Sequence, residues 1–411
     1  MSKNRKLTWD IIIVGAGAAG MMAGIVSAKA GKKVLLLEQC DKPGKKILAT
    51  GNGKCNFTNA YMERNCFHGD KELIETVLST FTQEDCVSFF HSIGIFPKEK
   101  NGYFYPNSEQ AASVVYALTE ELKRLNAKLL CSVIVENIKK ENDMFSIITN
   151  EGIHLGKKLI LATGLLAAPK LGSNGSLFGA MKALGHHFSP IVPALCGFYC
   201  NGLPFKKISG VRVTGTVTAF VEDQKVASDT GEIQLTDYGI SGIPVFQISR
   251  YLSLGLYEKK SVKVLIDFIP QMSNEELMRE LVFRRNHNKT QTLEATLNGL
   301  LNKKLSEVLL DSAGLKSDLP IHALSDKDLW RLILAIKETK ITVNKYRDYE
   351  FAQVCAGGIP AKEVNTDTFA SVYVDNLYFA GELLNVDGIC GGYNLHFAWG
   401  SGLVAATNAC K

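Results

Sequence analysis

Asp10-Ile-Ile-Ile-Val-Gly15-Ala-Gly17-Ala-Ala-Gly20 decides the fold. Its first half is a short apolar, β-branched run ending in glycine, which reads as a buried parallel strand. Small apolar residues follow from Ala18 to Ala30 and suit a helix packed closely on a sheet, with Gly31 closing it and 33–38 forming the next strand. Strand, helix and strand make a βαβ unit, the building block of a doubly wound sheet. Gly15 permits the tight turn, Gly17 lets the backbone approach a pyrophosphate, and Gly20 lets the helix pack against its strand. Ala18 and Ala19 occupy the first helical turn, whose free N–H groups and dipole favour phosphate charge. Glu38, followed by Gln39, closes the second strand about 20 residues on, where a carboxylate binds ribose hydroxyls. The alternative, a glycine-rich packing turn, does not require Glu38 at that spacing. This unit specifies a dinucleotide but does not separate NAD from FAD.

With 411 residues the chain exceeds one compact core, so two or three domains are expected. Hydrophobic residues make up 46% and charged residues 21%, values of an ordinary globular protein rather than a disordered one. The net charge of +5 is mild, and the basic groups Arg284-Arg285 with Lys289, and Lys303-Lys304, read as solvated helix faces. That pattern argues against a nucleic-acid partner, which needs a concentrated basic stripe. No apolar run reaches the roughly 18 residues of a membrane span. The short basic start runs straight into a strand, so no export signal is read. A cytoplasmic protein with reduced thiols is therefore expected, its ten cysteines scattered and Cys196 and Cys200 the closest pair. No metal site is expected, because the histidines do not pair with cysteines at ligand spacing. Monomer and homo-oligomer are both left open.

Beyond the loop from Asp41 to Asn59, residues 70–125 read as mostly helical, interrupted by a turn-rich stretch at 94–108. Strands are expected at 128–138, 144–149 and 158–162. From 191 to 269 short β-branched runs alternate with Gly, Asp and Pro, the texture of an antiparallel sheet or barrel. Leu293, Leu297, Leu301 and Leu305 recur at helical spacing within 273–340. The final segment returns to the style of the N-terminus. The expected organisation is an α/β fold: a Rossmann-like domain from both chain ends (1–190 and 356–411), an inserted antiparallel sheet or barrel (191–272), a small helical subdomain (273–340) and a return strand (341–355).

Two further strand ends narrow the dinucleotide. Leu159-Ile-Leu-Ala-Thr163-Gly164 and Asp375-Asn-Leu-Tyr-Phe-Ala-Gly381-Glu382 resemble the strand ends of two-dinucleotide-fold flavoproteins. That resemblance implies that Glu382 lies at the flavin ribitol. A helix starting near Gly391-Gly392-Tyr393-Asn394 would then point its N-terminus at the flavin ring, where it stabilises negative charge. Against this stands a plain surface turn at Gly381-Glu382.

Lys45-Lys46-Ile-Leu-Ala-Thr-Gly51-Asn-Gly53-Lys54-Cys55-Asn56-Phe-Thr58-Asn59 resembles the signature loop of BaiN-type flavoproteins, also called aminoacetone-oxidase-family FAD-binding enzymes or NAD(P)/FAD-dependent oxidoreductases. The likeness continues through Gly102-Tyr-Phe-Tyr-Pro106, Gly172-Ser-Asn-Gly175, Thr236-Asp-Tyr-Gly-Ile-Ser241-Gly242-Ile-Pro244, Ala356-Gly-Gly358 and Asp387-Gly388. It implies one tightly held FAD lying along the Gly51-to-Asn59 loop, with Gly51 and Gly53 allowing close approach and Asn56 and Thr58 bonding cofactor oxygens. It also implies Lys45, Lys54, Cys55, Asp387, Gly392, Tyr393 and Asn394 at the cofactor, Val135 on the strand that meets the adenine, and closure of the inserted sheet as a β-barrel. The chain departs from the family where Arg is common, at Tyr103 and Lys54, and also at Cys355 and Ser176.

Three residues are candidates for chemistry. Tyr103 would serve as a general acid, Cys55 as a redox thiol, and His396 as a group facing the flavin; the competing readings are a surface phenol, a loop-packing cysteine and a satisfied core histidine. Adjacent His186 and His187 are poorly placed to chelate one metal. No second nucleotide motif follows a strand, so NAD(P)H would visit the flavin only transiently as a donor. The resemblance implies hydride transfer through flavin N5, with reduction of a conjugated C=C bond in a small apolar substrate as the leading activity. An amine or alcohol oxidase and a tRNA-modifying or tRNA-binding flavoprotein are the alternatives.

Overall fold

A computed structural model describes residues 8–288 and 290–411. The basic start at 1–7 and Lys289 of the Arg284-Arg285-Lys289 group lie outside the described residues. The chain divides into two units, Met1–Ile191 with Gln353–Lys411, and Val192–Ala352.

In the first unit, β1 (Thr8–Val14) pairs in parallel with β2 (Val34–Leu37) on one side and with Gly152–Leu161 on the other. Lys128–Leu130 extends the parallel set beside β2, and Leu377–Phe379, from the far end of the chain, adds to Gly152–Leu161. Met144–Thr149 and Val135–Glu141 complete the seven-stranded sheet as antiparallel strands. Ile11 to Val14 and Val34 to Leu37 are buried without alternation, as strands covered on both faces must be.

Helix α1 (Ala18–Lys29) presents small residues because its neighbours stand at backbone distance. A β-carbon at Gly20 would lie 1.8 Å from the Gly15 carbonyl oxygen. On the helix Tyr393–Ala409, a β-carbon at Gly402 would lie 2.4 Å from the Ala19 carbonyl oxygen. The two helices therefore meet backbone to backbone, and larger residues at these glycines would drive them apart.

The second unit holds a closed antiparallel barrel. Its strands run Phe198–Asn201, Gly239–Gly242, Gln224–Leu235, Arg212–Val221, Val262–Asp267 and Thr339–Tyr346, the last pairing back onto the first. Among the described residues, four α-helices, Asn274–His287, Leu293–Leu297, Lys303–Ala313 and Asp326–Lys337, come between the last two barrel strands. Capping boxes at Ser273 with Glu276 and at Ser325 with Asp328 start the first and last of these.

The α/β class with a barrel and helices agrees with the reading of the sequence; several elements differ locally. The turn-rich 94–108 segment is a hairpin, Pro97–Lys100 with Tyr103–Pro106, joined by Thr58–Asn59. The expected strand at 128–138 is two strands, broken where Ser132 takes a positive φ of 61°. The leucine row from 293 to 305 spans two helices, because the first ends at Leu297 and the next begins at Lys303. All four leucines are nonetheless buried. A fifteen-residue helix, Ile243–Tyr257, lies within the segment read as continuous β-texture.

Candidate functional site

The turn after β1 behaves as its glycines demand. Gly15 has φ 99°, and a β-carbon there would strike the Ala162 carbonyl oxygen at 2.5 Å. Gly17 caps α1 with no side-chain hydrogen bond, and a β-carbon on it would meet nothing within 4 Å. The first turn of α1 carries no acidic residue. Its N–H groups thus face open space, the arrangement of an anion site. Glu38 is buried, and its two oxygens accept from the backbone N–H groups of Ala16 and Cys40, each at 2.8 Å. Each oxygen retains a further lone pair for a hydroxyl.

Gln39 does not point outward. Its Nε2 donates to the Gly172 carbonyl oxygen and its Oε1 accepts from Asn174 Nδ2 at 3.1 Å. The Gly172-to-Asn174 loop therefore lies beside Glu38, with a position for a Gly172 β-carbon 3.6 Å from Glu38 Oε1. Sequence reasoning assigned this loop no role, although its Gly-Ser-Asn-Gly pattern marked a turn.

Thr163 and Gly164 follow the end of the strand Gly152–Leu161. A β-carbon at Gly164 would stand 2.6 Å from Ser173 Oγ and 3.5 Å from Glu382 Oε2. Glu382 is held at both oxygens: Oε1 accepts from the Cys355 N–H at 2.7 Å, and Oε2 pairs with Lys46 Nζ at 2.8 Å. Lys45, the expected cofactor residue, pairs instead with Asp41 at 2.5 Å. Successive helical residues point about 100° apart. Only one of the Lys45-Lys46 doublet can therefore face Glu382. Gly381 joins this cluster to α1, its N–H donating to Ser401 Oγ at 2.8 Å and its β-carbon position 2.9 Å from Ala19 Cβ.

The loop from Gly51 to Cys55 is left-handed at Gly51, Asn52, Gly53 and Cys55. Lys54 is engaged by Glu109 at 2.5 Å, and Lys98 by the same carboxylate at 2.7 Å. The two ammonium groups hold the Glu109 carboxyl down at about 2. Cys55 is fully buried, and burial pushes its thiol up to about 12. At neutral pH it is a packed thiol with no thiolate to react.

Asn56 carries the plainest mark of a missing partner. Its Oδ1 is buried without a hydrogen bond, 2.9 Å from the position of a β-carbon at Gly392. Gly392 caps the helix Tyr393–Ala409, again with no side-chain bond to its N–H groups. Thr58 and Asn394 also hold protein partners. The Thr58 hydroxyl meets His396 Nδ1 at 2.9 Å, and the Asn394 amide bonds both the N–H and the carbonyl of Gly388 at 2.8 Å. Asp387 and Tyr393 are buried, and burial raises the Tyr393 phenol. Val135 is buried at the head of its strand, next to a register shift.

His396 is fully buried. Its Nε2 lies 3.0 Å from the Phe81 carbonyl, which can only accept, so Nε2 carries the proton and Nδ1 accepts from Thr58. Burial lowers its pKa to about 4, against 6.5 in the open chain. The unfolded chain then binds the proton first, so stability is full above pH 6.5 and is lost as pH falls toward 4. Urea unfolding at pH 7 and 4.5 should differ by about 2–3 kcal/mol from this group alone. His396→Gln should lose that share of the pH dependence; an unchanged difference would refute the assignment.

Tyr103 is 36% exposed, and its ring edge lies 3.2 Å from a β-carbon position at Gly391, the residue before the helix cap. Asn59 Nδ2 fixes the Gly391 carbonyl at 2.9 Å. Among the described residues no cluster of His, Cys, Asp or Glu suits a metal ion. None of their helices is long and apolar enough to cross a membrane.

The first unit thus offers a glycine-lined helix terminus, a carboxylate beside it, an orphaned amide oxygen and a second uncapped helix. Residues 9–408 match the family model described as the HI0933-like protein Rossmann domain. The chain belongs to this family. Over 402 residues it is 42% identical to the 3-dehydro-bile acid delta(4,6)-reductase of Clostridium scindens, covering 97% of this chain and 98% of that one. Ribosomal RNA dihydrouridine synthases of Escherichia coli and Haemophilus influenzae are each 31% identical, covering 97% of this chain and 97% and 98% of theirs. The chain is an FAD-dependent oxidoreductase of this Rossmann family. The geometry fits the cofactor: Gly17 leaves room at the helix terminus, and the Asn56 oxygen lacks a partner that a bound group can provide.

Proposed function

We propose that this oxidoreductase is an NAD(P)H-dependent reductase of a C=C bond conjugated to a carbonyl in a small, apolar substrate. The observation that carries the reading is the 42% identity, over nearly both full lengths, to a protein named as a delta(4,6)-reductase. In this reading Gly15, Gly17, Ala18, Ala19 and Gly20 hold the pyrophosphate, Glu38 a ribose, and the Glu382 region and the Gly51-to-Thr58 loop the flavin end. Bound there, FAD supplies hydride transfer between nicotinamide and substrate. The chain's own residues do the rest. The uncapped end of Tyr393–Ala409 places N–H groups and a positive dipole end where negative charge needs support.

Reduction of such a bond also needs a proton at the carbon next to the carbonyl. His396 is neutral with both nitrogens engaged, and Cys55 is buried. Tyr61, also exposed nearby, donates its hydroxyl to Glu63. Tyr103 is half-exposed, sits against Gly391, and makes no hydroxyl hydrogen bond to another described residue. It is the phenol available to give that proton.

Under anaerobic conditions NADPH or NADH should bleach the yellow protein, and a conjugated steroid enone should restore its colour. Tyr103→Phe should leave bleaching unchanged and slow recolouring about 100-fold. If only an amine or an alcohol bleaches the protein, it is an oxidase. The 31% relatives favour a second reading, a uridine in RNA as the substrate. That reading requires RNA binding that weakens steeply with salt. Several of the chain's basic side chains, among them Lys46, Lys54, Lys98, Arg212, Arg284 and Arg285, are already paired with carboxylates.

A further inference from the structure

The short helix that carries Lys46, Lys45–Ala49, is docked on the glycine turn itself. Gly44, its N-cap, has φ 67° and donates its N–H to the Ala16 carbonyl at 2.9 Å. A β-carbon at Gly44 would lie 2.9 Å from Val115 Cγ2 and 3.2 Å from Met21 Cε, so the helix start is wedged between α1 and the helix Ala111–Arg124. The same Ala16 gives its own N–H to Glu38 Oε2 at 2.8 Å. Glu38 and the Lys46 helix are thus anchored on one residue of the turn.

Glu382 reaches this turn from the far end of the chain. The preceding Gly381 stands against the first turn of α1, its β-carbon position 2.9 Å from Ala19 Cβ. A β-carbon at Gly15 would lie 3.2 Å from Thr163 Cα, and one at the following Gly164 would lie 3.5 Å from Glu382 Oε2. The carboxylate therefore borders the helix terminus whose open N–H groups form an anion site. A bare carboxylate in that place repels the pyrophosphate that the terminus attracts. Lys46 cancels the charge. Its Nζ lies 2.8 Å from Glu382 Oε2, and the two side chains are only 26% and 17% exposed, so solvent screens the pair weakly. The Cys355 N–H, 2.7 Å from Oε1, fixes the orientation of the carboxylate.

We infer that Lys46 is a positioning residue for the cofactor: it neutralises Glu382, so that this carboxylate faces a bound dinucleotide without repelling its pyrophosphate. Glu382 then offers acceptor lone pairs to hydroxyl groups at no net charge. Lys45, about 100° round the helix and paired with Asp41, does not stand in for it. The inference rests on the reading of the first unit as an FAD cradle. ADP, which carries a pyrophosphate and no flavin, separates the two.

The test is calorimetric binding of ADP and of FAD to the flavin-stripped full-length chain. Wild type should bind both. Lys46→Met should weaken both roughly tenfold, since the bared charge acts on the pyrophosphate they share. Salt at about 1 M, where the screening length falls to about 3 Å, should remove most of that difference from wild type; a packing defect would persist. Lys46→Arg should restore binding. Glu382→Gln added to Lys46→Met should return ADP affinity to within about twofold of wild type, because the site is neutral again. Glu382→Gln alone leaves an unpaired ammonium beside the anion and should tighten ADP severalfold. It serves as the second variant should Lys46→Met fold poorly by circular dichroism. Unchanged ADP affinity in Lys46→Met overturns the inference, and so does weaker ADP binding in Glu382→Gln. A loss that ignores salt, that the double variant does not recover, or that is confined to FAD overturns it too. Wild type that binds FAD without measurable ADP binding overturns it as well, since the pyrophosphate then carries no share of recognition. If wild type binds neither ligand, the cradle reading itself fails. If it binds both and the variants match it, only the role of Lys46 is removed.

Discussion

Gly20→Ala should yield a protein without flavin, destabilised by about 3 kcal/mol or more, whereas Gly17→Ala should fold normally and bind FAD poorly. The two glycines lie three residues apart on one turn, and their surroundings are opposite. At Gly20 the added carbon would overlap the Gly15 carbonyl oxygen at 1.8 Å, with Ala162 Cβ 3.5 Å away. That contact is backbone against backbone, so no rotamer change relieves it. Either α1 lifts from the sheet or the turn at Gly15 deforms. Gly15 cannot yield easily, being wedged against the Ala162 carbonyl with φ 99°. At Gly17 the φ is −82°, ordinary for any residue, and nothing lies within 4 Å. Alanine there fits the fold but fills the space through which a pyrophosphate reaches the helix N–H groups. Thermal unfolding of the flavin-free proteins separates stability from binding. Released flavin, measured by absorbance, reports occupancy. A stable, fully yellow Gly20→Ala protein would contradict the packing argument, and a fully yellow Gly17→Ala protein would contradict the phosphate site.

Lys337→Met should destabilise the barrel unit by about 2–3 kcal/mol, below the range for breaking a fully buried ion pair because Asp267 is partly exposed. Lys337 ends the helix Asp326–Lys337 and is nearly buried. Its ammonium has three protons and three acceptors: Asp267 Oδ2 at 2.6 Å, the Ile269 carbonyl at 2.7 Å and the Met272 carbonyl at 2.5 Å. Asp267 lies at the end of a barrel strand, so this one side chain ties the helix to the barrel. Methionine keeps most of the apolar stem but takes the ammonium from Asp267 Oδ2 and the Met272 carbonyl, while the Ile269 N–H still serves Asp267 Oδ1 at 2.8 Å and the Met272 N–H still serves the Ile269 carbonyl at 3.3 Å. The Asp267→Asn, Lys337→Met double variant should recover part of the loss, because it no longer strands a partly buried charge. Urea unfolding followed by tryptophan fluorescence measures both. A loss below 1 kcal/mol in the single variant would show that water replaces the ammonium without cost.

The parts of this protein visible in its sequence are those decided within a few residues. Gly15, Gly17, Gly20 and Glu38 announce a dinucleotide unit because a strand, a turn and a helix terminus impose their demands locally, whatever the rest of the chain does. The change of texture into short β-branched runs announced an antiparallel sheet or barrel for the same reason, and the folded chain shows that it closes. Helix boundaries were less legible. The even leucine spacing from 293 to 305 continues across a chain reversal, since burial alone sets that pattern.

Tertiary structure decided which of several eligible side chains met. Lys46 rather than Lys45 reaches Glu382, because the short helix at Lys45–Ala49 presents only one of the pair to that carboxylate. His396 and Thr58 were both candidates for cofactor contact, yet they satisfy one another in the core. Arg347 Nη1 donates to the Tyr238 hydroxyl at 3.0 Å, although the two stand far apart in the chain and carry no shared sequence signal. A local motif constrains backbone shape, and the sequence states that directly. A side chain's partner depends on distances closed by the whole fold, and only the folded protein states those.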